Sequence, residues 1–149
     1  RIPMQWNSLK NAGFTTGTPW INVHPNYKDI NVESQMKDLN SIWHHYKNII
    51  NLKLHSKYRE VLIYGDFEIV DYHNPHNFSY IRRLKDEAIL VINSFSNQNR
   101  RFMLSKLDGY EFGEIIFSNY QDSHISPKSI PLRPYEAVVL SLKLTKWTI

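Results

Sequence analysis

The second part of the sequence is divided into short apolar runs, and this pattern restricts the fold more than any other feature. From Tyr58 onward, runs rich in Val, Ile, Tyr and Phe alternate with turn-forming clusters at intervals of roughly ten residues. Such spacing predicts a mainly β fold, an antiparallel β-sandwich. The run from Ala88 to Ile92 is apolar throughout, which predicts a central strand buried on both faces. The predicted strands cover residues 60–71 (with a bulge or bend at Gly65), 78–84, 88–95, 100–105, 114–120 and a final run through Val138, Leu140, Leu142 and Leu144.

Residues 40–56 have the apolar period of a helix. Asn40 or Ser41 can cap its start, and Lys53 and His55 near its end suit the negative pole of the helix dipole. The predicted apolar stripe consists of Leu39, Trp43, Tyr46, Ile50 and Leu54, widened by Ile42 and Ile49.

Residues 1 to about 38 are rich in Pro, Gly and Asn, which predicts an irregular segment. A loop longer than about 12–15 residues is usually functional, and large apolar groups within it usually pack against a protein body. We therefore expect this segment to cover a body that the rest of the chain does not supply. Its large apolar residues are Met4, Trp6, Phe14, Trp20, Ile21 and Tyr27.

Composition excludes several classes of protein. The chain has 149 residues and no cysteine, so it holds neither a disulfide framework nor a thiol nucleophile. No apolar run approaches the roughly 18 residues of a membrane span, so we expect no membrane partner. The net charge of +4 comes from scattered basic residues, which argues against nucleic-acid binding. Asn77-Phe78-Ser79 is a glycosylation triplet that we attribute to chance.

Residue types alone identify no catalytic set. Asp66, Glu68 and Asp71 lie in or beside one predicted strand. Asp66 and Glu68 would share a strand face with Leu62 and Tyr64 and could approach one another, but a solvated strand face explains them equally well. His73 and His76 have a ligand-like spacing, yet a metal site needs a third ligand and a fixed frame. We therefore predict no metal site and no cofactor.

A collinear series of motifs gives the functional interpretation. The opening Arg1-Ile2-Pro3-Met4-Gln5-Trp6 resembles the R-x-P-M-Q-W motif of α-glucosidases in glycoside hydrolase family 13, with the oligo-1,6-glucosidase group as the nearest match. The other matching motifs follow in family order: Asn11-Ala12-Gly13-Phe14, Pro19-Trp20, His24-Pro25-Asn26-Tyr27, Ile30-Asn31-Val32, the helix around Tyr46-Lys47, Tyr64-Gly65-Asp66-Phe67 and Leu132-Arg133-Pro134-Tyr135-Glu136-Ala137.

The resemblance implies the end of a (β/α)8 barrel, residues 1–57, followed by domain C, a Greek-key-type β-sandwich of residues 58–149. Residues 1–38 would be the loop after the last barrel strand, and residues 40–56 the final barrel helix. The parent enzyme would be a cytoplasmic, retaining glycosidase that cleaves α-1,6 bonds of isomalto-oligosaccharides. The family's catalytic carboxylates lie upstream of the opening motif, so this chain is expected to have no catalytic residue and to be inactive alone.

The resemblance implies that one residue of this chain contacts substrate. The motif arginine, Arg1, would contact the glucose in the −1 subsite, because a guanidinium can hold a sugar hydroxyl and a carboxylate together. The sequence departs from the family pattern at three places. Asn7 stands where the family usually has aspartate, residues 8–10 include no acidic residue, and Lys53 stands where an arginine is common. These departures leave the fine substrate specificity of the parent enzyme open.

Rival interpretations remain at this stage. Related enzymes with the same motifs act as trehalose-6-phosphate hydrolases, dextran glucosidases or sucrose isomerases. A freestanding, non-catalytic β-sandwich that binds glucans or a protein partner would display aligned aromatic residues on one sheet face. The expected partners are the rest of the barrel and the oligosaccharide, and exposed apolar residues of the loop could drive self-association.

Overall fold

A computed structural model describes residues 1–145. The chain forms two compact units, of which the first is Arg1–Asn51 and the second begins at Leu52. The sequence-based division at residues 57 and 58 stays a prediction. No helix among the described residues is both long and apolar enough to cross a membrane.

The first unit contains more regular structure than the sequence predicts. Two 3-10 turns, Lys10–Gly13 and Pro25–Lys28, and a short helix α1, Val32–Lys37, lie in the segment expected to be irregular. Their formation depends on side-chain caps and left-handed residues rather than on an apolar period, so periodicity does not detect them.

Helix α2, Ile42–His55, confirms the helix predicted over residues 40–56. Ser41 is the capping residue, since the His44 amide donates to its Oγ atom over 3.3 Å. No residue of α2 is buried, and its apolar stripe is exposed in this chain, with Ile42 69% and Tyr46 62% accessible.

The second unit is a sandwich of two antiparallel sheets. A five-stranded sheet has the order β1-β2-β3-β7-β5, and β4 and β6 form a two-stranded sheet. The elements are α3 (Arg59–Tyr64), β1 (Asp66–Val70), β2 (Asn77–Leu84), β3 (Glu87–Ser94), β4 (Arg100–Met103), the 3-10 turn Leu104–Lys106, β5 (Tyr110–Ser118), β6 (Ser129–Leu132) and β7 (Ala137–Leu144).

The core lies between the two sheets and confirms the predicted sandwich. Phe102 of β4 and Ile130 of β6 pack against β2, β3 and β7 of the larger sheet and are fully buried. Each such side chain contributes roughly 1.5–3 kcal/mol through burial. Helix α3 covers part of the other face of the larger sheet, where Val61 packs against Ile89 and Val91. Strand β3 is therefore buried on both faces, as predicted.

Several predicted strand limits are wrong. Residues 60–64, the first part of the run predicted over residues 60–71, belong to α3, and Gly65 ends this helix rather than forming a bulge. Asp66 and Glu68 therefore share no strand face with Leu62 and Tyr64. The strand predicted over 100–105 ends at Met103, and the one predicted over 114–120 begins at Tyr110 and ends at Ser118. Strand β6 was not predicted, because Pro131 interrupts its run.

Candidate substrate-binding loop

Backbone hydrogen bonds connect the opening motif to two of the other matching motifs, the one that contains Ala12 and the one that ends at Val32. The carbonyl of Gln5 accepts from the amide of Val32, and that of Trp6 accepts from the amide of Glu33, both over 2.9 Å. On the other side, the amide of Trp6 donates to the carbonyl of Ala12 over 2.9 Å. The segment is thereby fixed on both sides, and we name this arrangement, centred on residues 5–7, the loop clasp.

The turn on one side of the loop clasp requires left-handed backbone. Asn11, Ala12 and Gly13 have φ values of 56°, 56° and 66°. The side-chain Nδ2 atom of Asn11 stabilises the turn by donating to the carbonyls of Thr15 and Gly17 over 3.1 and 2.7 Å. A Cβ atom on Gly13 would lie 2.6–2.8 Å from the side chain of Asn7 and would adopt a left-handed backbone, so any other residue here would be strained and would displace Asn7.

A capping box forms the other side of the loop clasp. Asn31 is 4% exposed, and its Oδ1 atom accepts from the Ser34 amide over 2.9 Å while its own amide donates to Ser34 Oγ over 3.3 Å. Its Nδ2 atom donates to the carbonyl of Tyr27 over 2.9 Å. Asn31 thus connects the turn Pro25–Lys28 to the start of α1, which accounts for the spacing between the motif that ends at Tyr27 and the motif that contains Asn31.

Arg1 lies at the open end of this loop and is exposed. The first unit contains three carboxylates, the groups that could pair with the Arg1 guanidinium. Two of them have other partners: Glu33 pairs with Lys37 over 2.9 Å, and Asp38 Oδ1 accepts from the backbone amide of Asn40 over 2.9 Å.

A cleft of about 310 Å³ runs beside the opening motif and is lined by Ile2, Pro3, Met4, Gln5, Asn26, Ile30, Asn31, Val32 and Gln35.

The first unit also presents a broad apolar surface. Trp20 is 92% exposed, and Met4 and Trp6 are each 50% exposed. Met4 and helix α2 border a groove of about 430 Å³ whose other lining residues include Ile42, Trp43, Tyr46 and Ile50. Exposure on this scale marks a surface that normally contacts other protein.

The acidic and histidine residues weighed for catalysis or metal binding are not assembled into a site. Asp66 and Glu68 are exposed on β1, an edge strand, where charges discourage pairing with another chain. Asp71 is paired with Lys106, and its Oδ2 atom accepts from Asn74 over 2.8 Å.

His73 and His76 are exposed, and the described residues contain no group of three or more potential metal ligands. Asn77 of the glycosylation triplet is 8% exposed and pairs with Ser94 in the sheet, so its side chain is inaccessible in the folded chain.

Arg133 and Glu136, which lie in the last of the matching motifs, form an ionic group with a buried carboxylate that residue types alone do not predict. Glu136 is 1% exposed, and Arg133 binds its two carboxylate oxygens through Nε and Nη2, each over 3.0 Å. Ser123 Oγ and the Arg133 amide also donate to this carboxylate. The guanidinium of Arg133 stacks 3.9 Å from the ring centre of Tyr120 and pairs with Asp122. We name this set the arginine cluster.

In the arginine cluster, the burial of Glu136 and the positive charge of Arg133 shift the pKa of the Glu136 carboxyl group in opposite directions. Burial raises the pKa of Glu136, but the hydrogen bonds from Arg133 and Ser123 outweigh it, so the pKa lies below its ordinary value. The hydrogen bond from Arg133 likewise lowers the pKa of Asp122. The arginine cluster ties the turn before β7 to the loop that follows β5 and so stabilises the second unit.

Comparison with known proteins accounts for the order of the motifs. Residues 1–65 match the family model of the alpha amylase catalytic domain, and residues 78–139 match that of the alpha-amylase SusG C-terminal domain. An oligo-1,6-glucosidase of Parageobacillus thermoglucosidasius is 41% identical over 145 residues, which are 97% of this chain and 25% of the relative. The chain belongs to the alpha-amylase family, glycoside hydrolase family 13. It corresponds to the C-terminal part of the family's α-glucosidases and spans about a quarter of the length of the curated relatives that it matches.

Proteins named for other activities share this region. A trehalose-6-phosphate hydrolase of Bacillus subtilis (strain 168) is 37% identical over 144 residues, 95% of this chain and 25% of the relative. The crystal structure of the trehalulose synthase MutB from Pseudomonas mesoacidophila MX-45 superposes with a TM-score of 0.85 at 30% identity, over 96% of this chain and 25% of that one. The family and fold inferred from the motifs are thus confirmed.

Proposed function

We propose that this chain is the C-terminal part of a retaining α-glucosidase that hydrolyses α-1,6 bonds of isomalto-oligosaccharides. The supporting observation is the alignment with oligo-1,6-glucosidases at 41% identity across nearly the whole chain. In this proposal residues 1–57 complete the catalytic barrel and residues 58–149 form domain C. The enzyme is cytoplasmic and uses no cofactor.

The chain's contribution to the reaction is structural and positional. In a retaining enzyme a carboxylate attacks the sugar, a second carboxylic acid protonates the leaving oxygen, and water then releases the glycosyl-enzyme. By the family resemblance these carboxylates lie upstream of residue 1. The chain supplies the final barrel helix, α2, the loop that borders the sugar site, and the sandwich that supports the barrel.

Arg1 is the residue proposed to touch substrate. Its rigid, always charged fork suits a glucose hydroxyl and an adjacent carboxylate together. The loop clasp supports this role, because it fixes the backbone four residues away through the hydrogen bonds of Gln5 and Trp6. The exposed apolar surface of the first unit is covered, in the same proposal, by the rest of the barrel.

The proposed specificity is tested by assaying the full-length enzyme on isomaltotriose, trehalose 6-phosphate and sucrose. We expect glucose release from isomaltotriose with a kcat/KM well above that for the other two. Preference for trehalose 6-phosphate, or conversion of sucrose to an isomer, would assign the enzyme to one of the alternative activities. The isolated chain should not hydrolyse p-nitrophenyl α-glucoside, and turnover above the blank would contradict the absence of catalytic carboxylates.

The role of Arg1 is tested by Arg1→Lys in the full-length enzyme. Loss of one charged hydrogen bond costs about 1.5–3 kcal/mol, so kcat/KM should fall roughly 10- to 100-fold. Arg101→Lys, at an exposed position of β4, is the matched control and should leave kcat/KM unchanged. An equal effect of both substitutions would contradict substrate contact by Arg1.

A further inference from the structure

The cleft of about 310 Å³ beside the opening motif combines apolar walls with amide side chains. Its apolar residues include Ile2, the chain neighbour of Arg1, and Ile30, which is 54% exposed. Three half-buried amide side chains also line it: Gln5, Asn26 and Gln35. We name it the amide cleft. Its volume lies at the lower end of the roughly 300–1,000 Å³ that is usual for ligand clefts.

Each of the three amides is held by the protein at one end only. Gln5 Nε2 donates to the carbonyl of Ile30 over 2.5 Å, and Gln35 Oε1 accepts from a backbone amide of helix α2 over 3.1 Å. Asn26 Oδ1 lies 2.5 Å from Nδ1 of His24. The opposite end of each amide has no hydrogen-bond partner among the described residues and is not buried. The three free ends are therefore fixed in position to bind groups that donate and accept hydrogen bonds.

The lining of the amide cleft favours an uncharged ligand that carries hydroxyl groups. Among the described residues, those that line the cleft carry no charge, whereas a phosphate or carboxylate is normally bound by Arg or Lys. A purely apolar ligand would bury the free amide ends without partners, which is unfavourable. The hydroxyl groups of a sugar can pair with these ends, and its C–H groups can contact the apolar walls.

The amide cleft begins next to the residue proposed to touch substrate. The Cα atoms of Arg1 and Ile2 are about 3.8 Å apart, as in any trans peptide. Gln5 belongs to the loop clasp, so its backbone is fixed to Val32, which also lines the cleft. We propose that the amide cleft binds a second glucosyl unit of the oligosaccharide whose −1 glucose contacts Arg1. This inference rests on the proposed function, which assigns Arg1 to substrate contact.

Filling the amide cleft in the full-length enzyme tests this role. Ile30→Trp places a larger side chain in the cleft and keeps the backbone carbonyl that Gln5 binds. Met36→Trp is the matched control, because Met36 is 53% exposed on α1 and does not line the cleft. The value of kcat/KM is measured for isomaltotriose and for p-nitrophenyl α-glucoside, which carries a single glucosyl unit.

We expect Ile30→Trp to lower kcat/KM for isomaltotriose roughly tenfold relative to that for p-nitrophenyl α-glucoside, mainly through KM, because hydrogen bonds to the second unit are lost. Met36→Trp should leave this ratio unchanged. An equal loss on both substrates would show that the substitution acts through Arg1, and it would overturn the proposal, as would an unchanged ratio. If circular dichroism shows that Ile30→Trp is unfolded, Ile30→Phe decides the result.

Inhibition of p-nitrophenyl α-glucoside hydrolysis by isomaltotriose separates this inference from the proposed function. An enzyme that does not cleave isomaltotriose, but is inhibited by it more weakly after Ile30→Trp, would refute the proposed specificity and support the amide cleft as a sugar site. An enzyme that cleaves isomaltotriose with the same substrate ratio before and after Ile30→Trp would refute the sugar site alone.

Discussion

Glu136 is the residue whose removal should cost the second unit most among its ionic groups. Its carboxylate is buried and accepts two hydrogen bonds from the guanidinium of Arg133. Glu136→Gln places an amide group against these donors, and breaking a buried pair in this way costs about 3 kcal/mol. Urea unfolding at pH 7 should therefore show a lower midpoint, with a much smaller change for the matched substitution Glu114→Gln in an exposed pair with Lys57. Equal losses would show that burial of the carboxylate is irrelevant.

The carboxylate of Glu136 should also make the free energy of unfolding depend on pH. The pKa of Glu136 is lower in the folded chain than its ordinary value, so the unfolded chain binds the proton more readily. The contribution of Glu136 is thus present at neutral pH and is lost as the pH falls from about 5 through the folded pKa. In Glu136→Gln this part of the acid destabilisation should be absent. Parallel pH profiles for the two proteins would contradict the assignment.

At the scale of secondary-structure elements, the loop clasp connects the turn Lys10–Gly13 to helix α1 through the opening motif. Substitution of Gly13 tests this connection. Gly13→Ala would force a side chain into left-handed backbone, at about 1–2 kcal/mol, and against the side chain of Asn7. We expect the amides of Val32 and Glu33, which donate to the opening motif, to exchange with solvent roughly 5- to 30-fold faster. Gly17→Ala is the control, because the nearest contact of a Cβ atom there is 3.7 Å away. Unchanged exchange in Gly13→Ala would mean that the turn does not support the motif.

The spacing of apolar residues in the sequence predicted helix α2 and strand β3, in which all the residues on one face have the same kind of surroundings. Helix α2 has one continuous apolar stripe, and β3 is apolar at five successive positions because α3 and the smaller sheet cover its two faces. In β3 the residue types match the burial directly, whereas in α2 they match the helical period although none of its residues is buried in this chain. The paired sheets followed from the spacing of the runs.

The missed elements depend on contacts that a short window of sequence does not contain. Residues 59–64 contain Val, Leu, Ile and Tyr, which favour a strand, yet they form α3 because Val61 and Leu62 reach one apolar face of the sheet. Strand β6 tolerates Pro131 because it pairs only with β4 in a two-stranded sheet.

The candidate site was only partly predictable. The motifs located the loop, and the assignment of Arg1 to substrate contact stays a prediction. They did not predict the hydrogen bonds that join Gln5 and Trp6 to α1 or the caps that shape the turns. Those depend on Asn31 and on left-handed residues 11–13, whose conformations no hydrophobic pattern encodes. The arginine cluster likewise joins Asp122 and Ser123 to a motif ten residues away, a link visible only once the strands are placed.

At the scale of the whole molecule, the exposed apolar surface of the first unit determines how the isolated chain behaves. Trp20 and Ile42 are 92% and 69% exposed, and water contact with such groups is relieved by association. The apparent mass of the isolated chain should therefore rise above the monomer value of 17.7 kDa as its concentration increases, as measured by size-exclusion chromatography with light scattering. The double substitution Trp20→Ser and Ile42→Ser should shift this rise to higher concentration, while Met103→Ser on the second unit should not. A chain that stays monomeric at every concentration would show that the surface does not need a partner, and would weaken the case that a barrel normally covers it.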